Sequence, residues 1–384
     1  MSRRCRLAVL GTRLALVVGL ALPLSGLAAP CPSPGQWLAA DGTPVASDEL
    51  MRDLAHQSVV LLGEEHDQLA HHRWQLHTLA GLHALRPDMV IGLEMLPREA
   101  QSTLDAWVAG ELSEAAFLEA SDWESAWGLD PALYLPILHF ARMHGVPLKA
   151  LNIVPALRRR LASDGWASVP ARERFDIPAP AAPSPAYRRS LAEVFDRHAG
   201  SDDPDALERF IAAQLVWDRA MASALAEATE DDALVVGLMG LRHLTFGHGV
   251  PHQLADLGVT AQQSLLPRPR QADCQQPPEG LADAYFTLGD EAPFTAPAPP
   301  RLGVMIGPHP AGVEIRSVGP DSVAAAAGLR EGDVILAAAG RPLETPGELS
   351  ARVREQPPGT LLPLEVRRDD DIREVLARFP VATP

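Results

Sequence analysis

Apolar and polar residues follow two different periods between residues 56 and 266. Continuous apolar runs of strand length alternate with longer stretches in which apolar residues recur at helical spacing. The predicted strands are residues 58–62, 89–94, 147–152, 234–239 and 259–265. The predicted helices are residues 68–85, 99–108, 131–144 and 205–228. Strands that alternate with helices predict an α/β domain with a mainly parallel sheet flanked by helices.

One short motif, Gly-x-x-His, directly follows two of the apolar runs. It occupies residues 63–66 and residues 240–243. In open α/β sheets, ligands bind beyond the carboxyl ends of the strands. We therefore expect His66 and His243 to face one crevice, although they lie far apart in the sequence.

Acidic residues accompany both histidines. Glu64 lies within the first motif, and Glu94 ends the second predicted strand. Two carboxylates and two imidazoles suit general acid/base catalysis, or a divalent transition metal whose ligands are His66, Glu94 and His243. A structural alternative is that the glutamates cap helix N-termini and the histidines bond backbone groups. The recurrence of the motif favours a functional site.

The N-terminus predicts export. Residues 1–29 combine several arginines, a continuous apolar stretch and small residues at a cleavage position, as a secretory signal peptide does. Residues 30–55 are then an N-terminal extension, and the mature protein is periplasmic or secreted. Cleavage leaves Cys31 and Cys274, for which we expect a disulfide in an oxidising compartment.

Charge and hydropathy exclude two classes of partner. Acidic residues outnumber basic ones, 49 to 33, and the formal net charge is −16, so nucleic acid is not an expected partner. No segment after the signal reaches the length of a transmembrane helix. Residues 267–300 are rich in proline and predict a linker. Residues 301–382 contain short β-like runs between glycine turns and predict a separate small β-rich domain.

Several spaced motifs give the first domain a family resemblance. They are residues 63–67, 71–72, 75, 92–95, 134, 141, 150–152, 214, 217–218 and 240–243. With these motifs the domain resembles the ChaN-like haem-binding uptake family, in the superfamily that includes the TraB and Tiki proteins and the erythromycin esterases. The resemblance implies haem as the cofactor, Tyr134 as its axial ligand, and His66, His72 and His243 close to it.

The second domain also resembles a known family. Its motifs are residues 301–304, 321–329, 332–335 and 340–343. With these it resembles a PDZ domain of the bacterial protease type. Such domains add an extended peptide to a sheet edge, which implies binding of a peptide or a protein C-terminus at Leu302, Gly303 and Val304.

Three hypotheses follow. The first is an exported haem- or iron-binding protein that handles haem or iron and recruits a partner through the PDZ domain. The second is a metal-dependent hydrolase, a peptidase or esterase of the Tiki or erythromycin-esterase type. In it, Glu64 or Glu94 activates water, and His66 and His243 hold the metal or stabilise charge. The third is a non-catalytic adaptor that uses only the PDZ groove. Family likeness also implies a homodimer.

Overall fold

The computed structural model describes residues 31–199, 203, 205–230, 232–268, 276–289 and 300–381. The chain divides into two compact units, Met1–Phe294 and Thr295–Pro384. The signal predicted at residues 1–29 lies outside the described residues. Cys31 is disulfide-bonded, while Cys274, its predicted partner, also lies outside them.

Unit 1 is built on a mostly parallel sheet. Its strands, within the described residues, are β1 (Trp37–Ala39), β2 (Pro44–Val45), β3 (Val59–Glu64), β4 (Met89–Pro97), β5 (Leu148–Asn152), β6 (Leu234–Gly240), β7 (Gln262–Arg268) and β8 (Ala284–Thr287). The strand order is β2-β1-β8-β7-β3-β6-β4-β5. All neighbouring strands from β8 to β5 run parallel, and β1 and β2 are antiparallel additions at one edge.

Helices cover both faces of this sheet. They are α1 (Ser47–Ala55), α2 (Leu69–Leu85), α3 (Gln101–Val108), α4 (Glu114–Ala120), α5 (Trp123–Ala126), α6 (Leu135–His144), α7 (Pro155–Asp164), α8 (Pro185–Ala199), α9 (Ala206–Ala228) and α10 (Val250–Asp256). Strand β3 shows why both faces need cover. Val60 and Leu62 belong to one apolar cluster, whereas Val59 and Leu61 belong to the cluster on the opposite face.

The predicted α/β architecture is confirmed. The five predicted strands correspond to β3–β7, and the four predicted helices correspond to α2, α3, α6 and α9 within a few residues at their ends. The sequence pattern missed β1, β2 and β8, which have only three, two and four residues. These strands come from the segments predicted as an N-terminal extension and a linker, so both segments contribute to the sheet of unit 1.

Unit 2 is a small antiparallel β structure. Its elements, in the range 300–381, are β9 (Val304–His309), β10 (Gly312–Val318), α11 (Val323–Ala326), β11 (Val334–Ala338), β12 (Arg341–Pro342), α12 (Pro346–Arg354), β13 (Leu361–Arg368) and β14 (Asp371–Arg378). The sheet order is β14-β13-β11-β10-β9, and β12 pairs with β11. Within the described residues, β9 therefore has one edge without a neighbouring strand. A separate apolar core packs these elements together.

Among the described residues, no helix combines the length and the apolarity that a membrane span requires.

Candidate functional site

The polar residues of unit 1 gather where three neighbouring strands end. Glu64 is the last residue of β3 and pairs with Gly240, the last residue of β6. Glu94 lies in β4, on the other side of β6. The two carboxylates are 1% and 0% exposed. Because a buried charge is stable only when it is paired and hydrogen-bonded, the donors around each carboxylate define the site.

Glu64 is the centre of a hydrogen-bonded group that we call the Glu64 cluster: Glu64, His66, His72 and Tyr134. His66 Nδ1 lies 2.9 Å from Glu64 Oε1, and the hydroxyl of Tyr134 donates to the same oxygen at 2.8 Å. His72 Nδ1 lies 3.2 Å from Oε2. Burial opposes ionisation, but the hydrogen bonds from His66 and His72 outweigh it and lower the pKa of Glu64 to about 2. Glu64 is therefore a carboxylate at neutral pH.

His72 lies behind the crevice and positions its neighbours. Its Nε2 bonds the carbonyl oxygen of His66 at 3.0 Å, and its Nδ1 also faces Gln75 Oε1 at 3.2 Å. Burial acts to lower the pKa of His72, but Glu64 and the surrounding acceptors raise it above the ordinary value. Because both ring nitrogens are engaged and the residue is only 2% exposed, His72 holds Glu64 in place rather than facing a ligand.

Tyr134, the axial ligand that the family resemblance implies, is buried at 2% exposure. Its hydroxyl donates to Glu64 and approaches the carbonyl oxygen of His66 at 3.3 Å. Burial, and then the Glu64 charge, raise its pKa far above the ordinary tyrosine value. In this arrangement Tyr134 is a neutral phenol whose proton points at a carboxylate, which is the opposite of what iron ligation by a phenolate requires.

His243 belongs to a second group, the Asp218 cluster: Asp218, His243, Tyr187 and Gln214. His243 Nδ1 lies 2.5 Å from Asp218 Oδ1, and the Tyr187 hydroxyl donates to Oδ2 at 2.7 Å. Gln214 Nε2 donates to Oδ1 at 3.3 Å. Burial alone would lower the pKa of His243, but Glu94 and Asp218 raise it to about 10. His243 is thus an imidazolium at neutral pH.

Glu94 joins the second cluster to the sheet. Its Oε2 accepts a hydrogen bond of 2.6 Å from the backbone N–H of Gly240, and its Oε1 lies 3.5 Å from His243 Nε2. Although burial opposes ionisation, the charge of His243 holds the pKa of Glu94 below its usual value. Both nitrogens of His243 therefore face carboxylates.

The two Gly-x-x-His turns meet at Gly240. A Cβ on this glycine would lie 2.9 Å from His66 Cε1 and 3.6 Å from Glu94 Oε2. His66 and His243 both line one cavity of about 720 Å³. Helix α8 forms another part of its wall, with Tyr187 and Leu191 among the lining residues. The structure therefore brings the two distant motifs together in one crevice.

His66 opens into this cavity, which His248 also lines. Its side chain is 38% exposed, and its ring packs edge-on against Trp127 at 4.6 Å between ring centroids. Nδ1 is held by Glu64, whereas Nε2 has no hydrogen-bond partner in the described part of the chain. A carboxylate on one nitrogen fixes the orientation of the ring, as in protein metal ligands. Burial acts to lower the pKa of His66, but Glu64 and Glu94 raise it above the ordinary value, so a metal that binds at Nε2 competes with a proton.

The set predicted to bind a divalent metal, His66, Glu94 and His243, does not form a compact donor group. Within the described ranges, no three or more His, Cys, Asp or Glu side chains are placed to hold a metal ion. The physical reason is that His243 is enclosed between Asp218 and Glu94 as a cation, which leaves it no lone pair to offer.

Sequence reasoning did not assign a role to Tyr187 or Asp218. Asp218 and Gln214 belong to the motifs that carry the family resemblance, but the resemblance was not used to give either residue a function. Tyr187 lies in the first turn of α8, which follows a proline-rich stretch, and nothing in the sequence ties it to a site. The four-residue spacing of Gln214 and Asp218, which puts them on one side of α9, was the available signal.

In unit 2, the predicted peptide-binding residues Leu302, Gly303 and Val304 line a groove of about 820 Å³ between β9 and α12. Gly303 adopts φ +77°, and a Cβ there would lie 2.4 Å from the Cβ of Ser322. Only glycine fits this turn, which leads into the free edge of β9. Arg354 adds a positive charge to the groove wall.

Together these features define a class: a two-unit protein with a ligand crevice at the carboxyl ends of a parallel sheet and a peptide groove at the edge of an antiparallel one. The chain belongs to the family described as haem-binding uptake, Tiki superfamily, ChaN, whose model matches residues 50–254. A PDZ domain model matches residues 314–368.

Known proteins are similar to parts of this chain. A solved structure described as cofacial heme binding to ChaN of Campylobacter jejuni matches with a TM-score of 0.53 and 16% identity, over 65% of this chain and 95% of that one. This likeness shows the fold alone. The magnetosome formation protease MamE of Paramagnetospirillum magneticum is 45% identical over 80 residues, and that of Magnetospirillum gryphiswaldense is 42% identical over 77. These matches cover 21% and 20% of this chain, and only 11% and 10% of the two proteases.

Proposed function

We propose that the crevice of unit 1 binds haem, with His66 as the iron ligand, and that the protein handles haem or iron outside the cytoplasm. Membership of a haem-binding family supports the ligand. The observation that carries the role of His66 is its geometry: Nδ1 is held by the Glu64 carboxylate while Nε2 opens into the cavity. Histidine is a common axial ligand of haem iron.

The cavity fits this ligand in size and character. Its volume of about 720 Å³ lies within the range of about 300–1,000 Å³ found for cofactor sites. Aromatic and apolar side chains on its wall, including Trp217, Phe210 and Leu191, suit a flat macrocycle. This donor set favours His66 over Tyr134, because the Tyr134 hydroxyl is committed to Glu64.

The proposed location is the periplasm. The export signal predicted at residues 1–29 supports it, and so does the disulfide bond of Cys31, since such bonds persist in oxidising compartments. In this setting the PDZ unit binds the C-terminus of a partner protein along the edge of β9 and brings it to the haem-binding unit.

Haem titration of purified full-length protein, followed by the Soret band, tests the proposal. We expect a Soret shift that is lost in His66→Ala and kept in Tyr134→Phe. His77→Ala is the matched control, because His77 is exposed on α2 and does not line the crevice. A shift that survives His66→Ala and disappears in Tyr134→Phe would show that Tyr134 is the iron ligand, as the family resemblance implies. No shift with the unaltered protein would overturn haem binding.

One observation favours hydrolysis as a second candidate function. The Glu64–His66 pair has the arrangement of a general base oriented by a carboxylate, and the His243 charge lies across the same crevice. The test is a panel of esters and peptides, with and without added divalent metals. Hydrolysis that both His66→Ala and His243→Ala abolish would favour this function, and absence of turnover across the panel would remove it.

A further inference from the structure

A second cavity adjoins the crevice in unit 1. It has a volume of about 590 Å³ and lies beyond the ends of β4 and β5, with Asn152 and Trp127 among its lining residues. Trp217 lines both cavities. Trp127 also packs against His66, so the two cavities lie side by side. A ligand held in the crevice therefore has a neighbouring space into which a substituent can extend.

Arg158, on the first turn of α7, places its charge in this second cavity. Its guanidinium carbon lies 4.1 Å from the centroid of the Trp217 ring, so the planar group stacks on the indole. Its guanidinium group forms no hydrogen bond or ion pair with any of the described residues. Other arginines shielded from solvent in this unit differ: Arg98 pairs with Glu227 at 2.9 Å, and Arg219 pairs with Asp256 at 2.7 Å.

The electrostatic surroundings agree with the absence of a counter-ion for Arg158 among the described residues. Burial and the neighbouring Arg159 lower its pKa, and the smaller effect of Glu94 acts to raise it. A positive charge that is partly removed from water and has no partner costs free energy, which an anion in the cavity would offset. A guanidinium group that presents two parallel N–H donors matches a carboxylate in bidentate geometry.

The other charged residues that line the second cavity determine which kind of anion it favours. Glu99 and Asp122 also line the cavity, and both are exposed at its rim. Two carboxylates at the rim disfavour a doubly charged phosphate, whereas a single carboxylate balances the single charge of Arg158. Their exposure lets water and salt screen their repulsion of such a ligand group.

We propose that this second cavity is a carboxylate-binding subsite for the ligand of the crevice and that Arg158 is its anchor. The inference rests on the proposed haem function, in which the carboxylate is a propionate of the porphyrin. Trp217 links this subsite to the crevice. The guanidinium group of Arg158 stacks on its indole ring, and the ring of His243 packs against it edge-on, with 4.8 Å between ring centroids.

The test compares three ligands and four proteins. The ligands are haem, metal-free protoporphyrin IX and the dimethyl ester of that porphyrin; the full-length proteins are the unaltered chain, Arg158→Gln, Arg158→Lys and Arg159→Gln. Soret absorbance reports haem, and quenching of tryptophan fluorescence reports the other two ligands. Arg159→Gln is the matched control, because it removes the same charge from the next position of α7.

We expect Arg158→Gln to weaken binding of both free-acid porphyrins by about 10- to 100-fold, the usual effect of losing a charged hydrogen-bond partner. Arg158→Lys is expected to restore part of the affinity, because lysine keeps the charge but not the bidentate fork. The ester, which has no carboxylate, should bind all four proteins equally. Arg159→Gln should change each affinity less than threefold, roughly the scale of an exposed charge.

Three outcomes of these titrations would overturn the subsite, the iron ligation or both. If haem shifts the Soret band equally in the unaltered protein and Arg158→Gln, the subsite is wrong while haem binding stands. If haem gives no Soret shift but protoporphyrin binds with the expected dependence on Arg158, iron ligation is wrong and the carboxylate subsite stands. If no porphyrin quenches tryptophan fluorescence in any variant, both are overturned. Equal urea midpoints for all four proteins establish that the variants are folded.

Discussion

Replacing Asp218 by asparagine tests the charge arrangement of the crevice most directly. Asp218 is fully buried and receives hydrogen bonds from His243, Tyr187 and Gln214. Asparagine has nearly the same shape but no charge. The substitution therefore leaves the imidazolium of His243 with Glu94 alone, at 3.5 Å.

The structure sets the size of the effect. The pKa of His243 rises from the ordinary 6.5 to about 10 in the folded protein, which corresponds to roughly 5 kcal/mol of stabilisation of the charged form at about 1.36 kcal/mol per pKa unit. Glu94 and Asp218 share this effect. Breaking one member of a buried charge pair typically costs about 3–5 kcal/mol, and we expect Asp218→Asn to lower the free energy of unfolding of unit 1 by about 3 kcal/mol.

Urea unfolding followed by tryptophan fluorescence measures this change in the full chain, because all seven tryptophans lie in unit 1. The pH dependence gives a second readout. A histidine whose folded pKa is raised contributes stability that is complete below pH 6.5 and is lost as the pH rises through about 10. The unaltered protein should therefore lose stability across this window, and Asp218→Asn should show a flatter curve.

Asp196→Asn is the control, since Asp196 is an exposed acid on α8. Parallel pH curves for the unaltered protein and Asp218→Asn, with a stability difference no larger than that of the control, would refute the assignment of His243 as a buried imidazolium.

Two further predictions concern glycines. Gly240→Ala places a Cβ 2.9 Å from His66 Cε1; it should destabilise unit 1 by about 1–3 kcal/mol and weaken haem binding in the Soret titration. Gly289→Ala, with no atom within 4 Å of the added Cβ, should do neither. Gly303→Ala adds a Cβ 2.4 Å from Ser322 at φ +77°. Because such strain costs about 1–3 kcal/mol, fluorescence polarisation should show roughly tenfold weaker binding of a labelled peptide with a free C-terminus, and unchanged affinity would show that this turn does not form the peptide groove.

Hydrophobic periodicity was sufficient to predict the central part of the fold. Strands such as β3 and β6 are continuous apolar runs because helices cover both faces of the sheet. A strand that is buried on both faces needs no polar residues, so its apolar run is easy to recognise. The edge strands were not predicted, because their sequences contain no such apolar run. β1 and β2 are too short to show any period, and β8 lies between segments whose composition is that of a linker.

Part of the site could be predicted because position along a strand carries geometric information. Glu64 and Glu94 lie at or near the carboxyl ends of parallel strands, and His66 and His243 lie just beyond such ends, so all four had to lie at one edge of the sheet. Their roles did not follow from position. Whether a histidine is a ligand, a cation or a support depends on what meets each ring nitrogen. Some of those partners, such as Asp218, come from helices whose packing the sequence pattern does not specify.

The two clusters make this argument concrete. In both the Glu64 cluster and the Asp218 cluster, a tyrosine hydroxyl and a histidine Nδ1 bond the same carboxylate. They differ at the other nitrogen: Nε2 of His66 opens to the cavity, whereas Nε2 of His243 faces Glu94. One additional carboxylate thus converts a potential ligand into a fixed positive charge. Two copies of the same motif therefore supply different chemistry to one crevice.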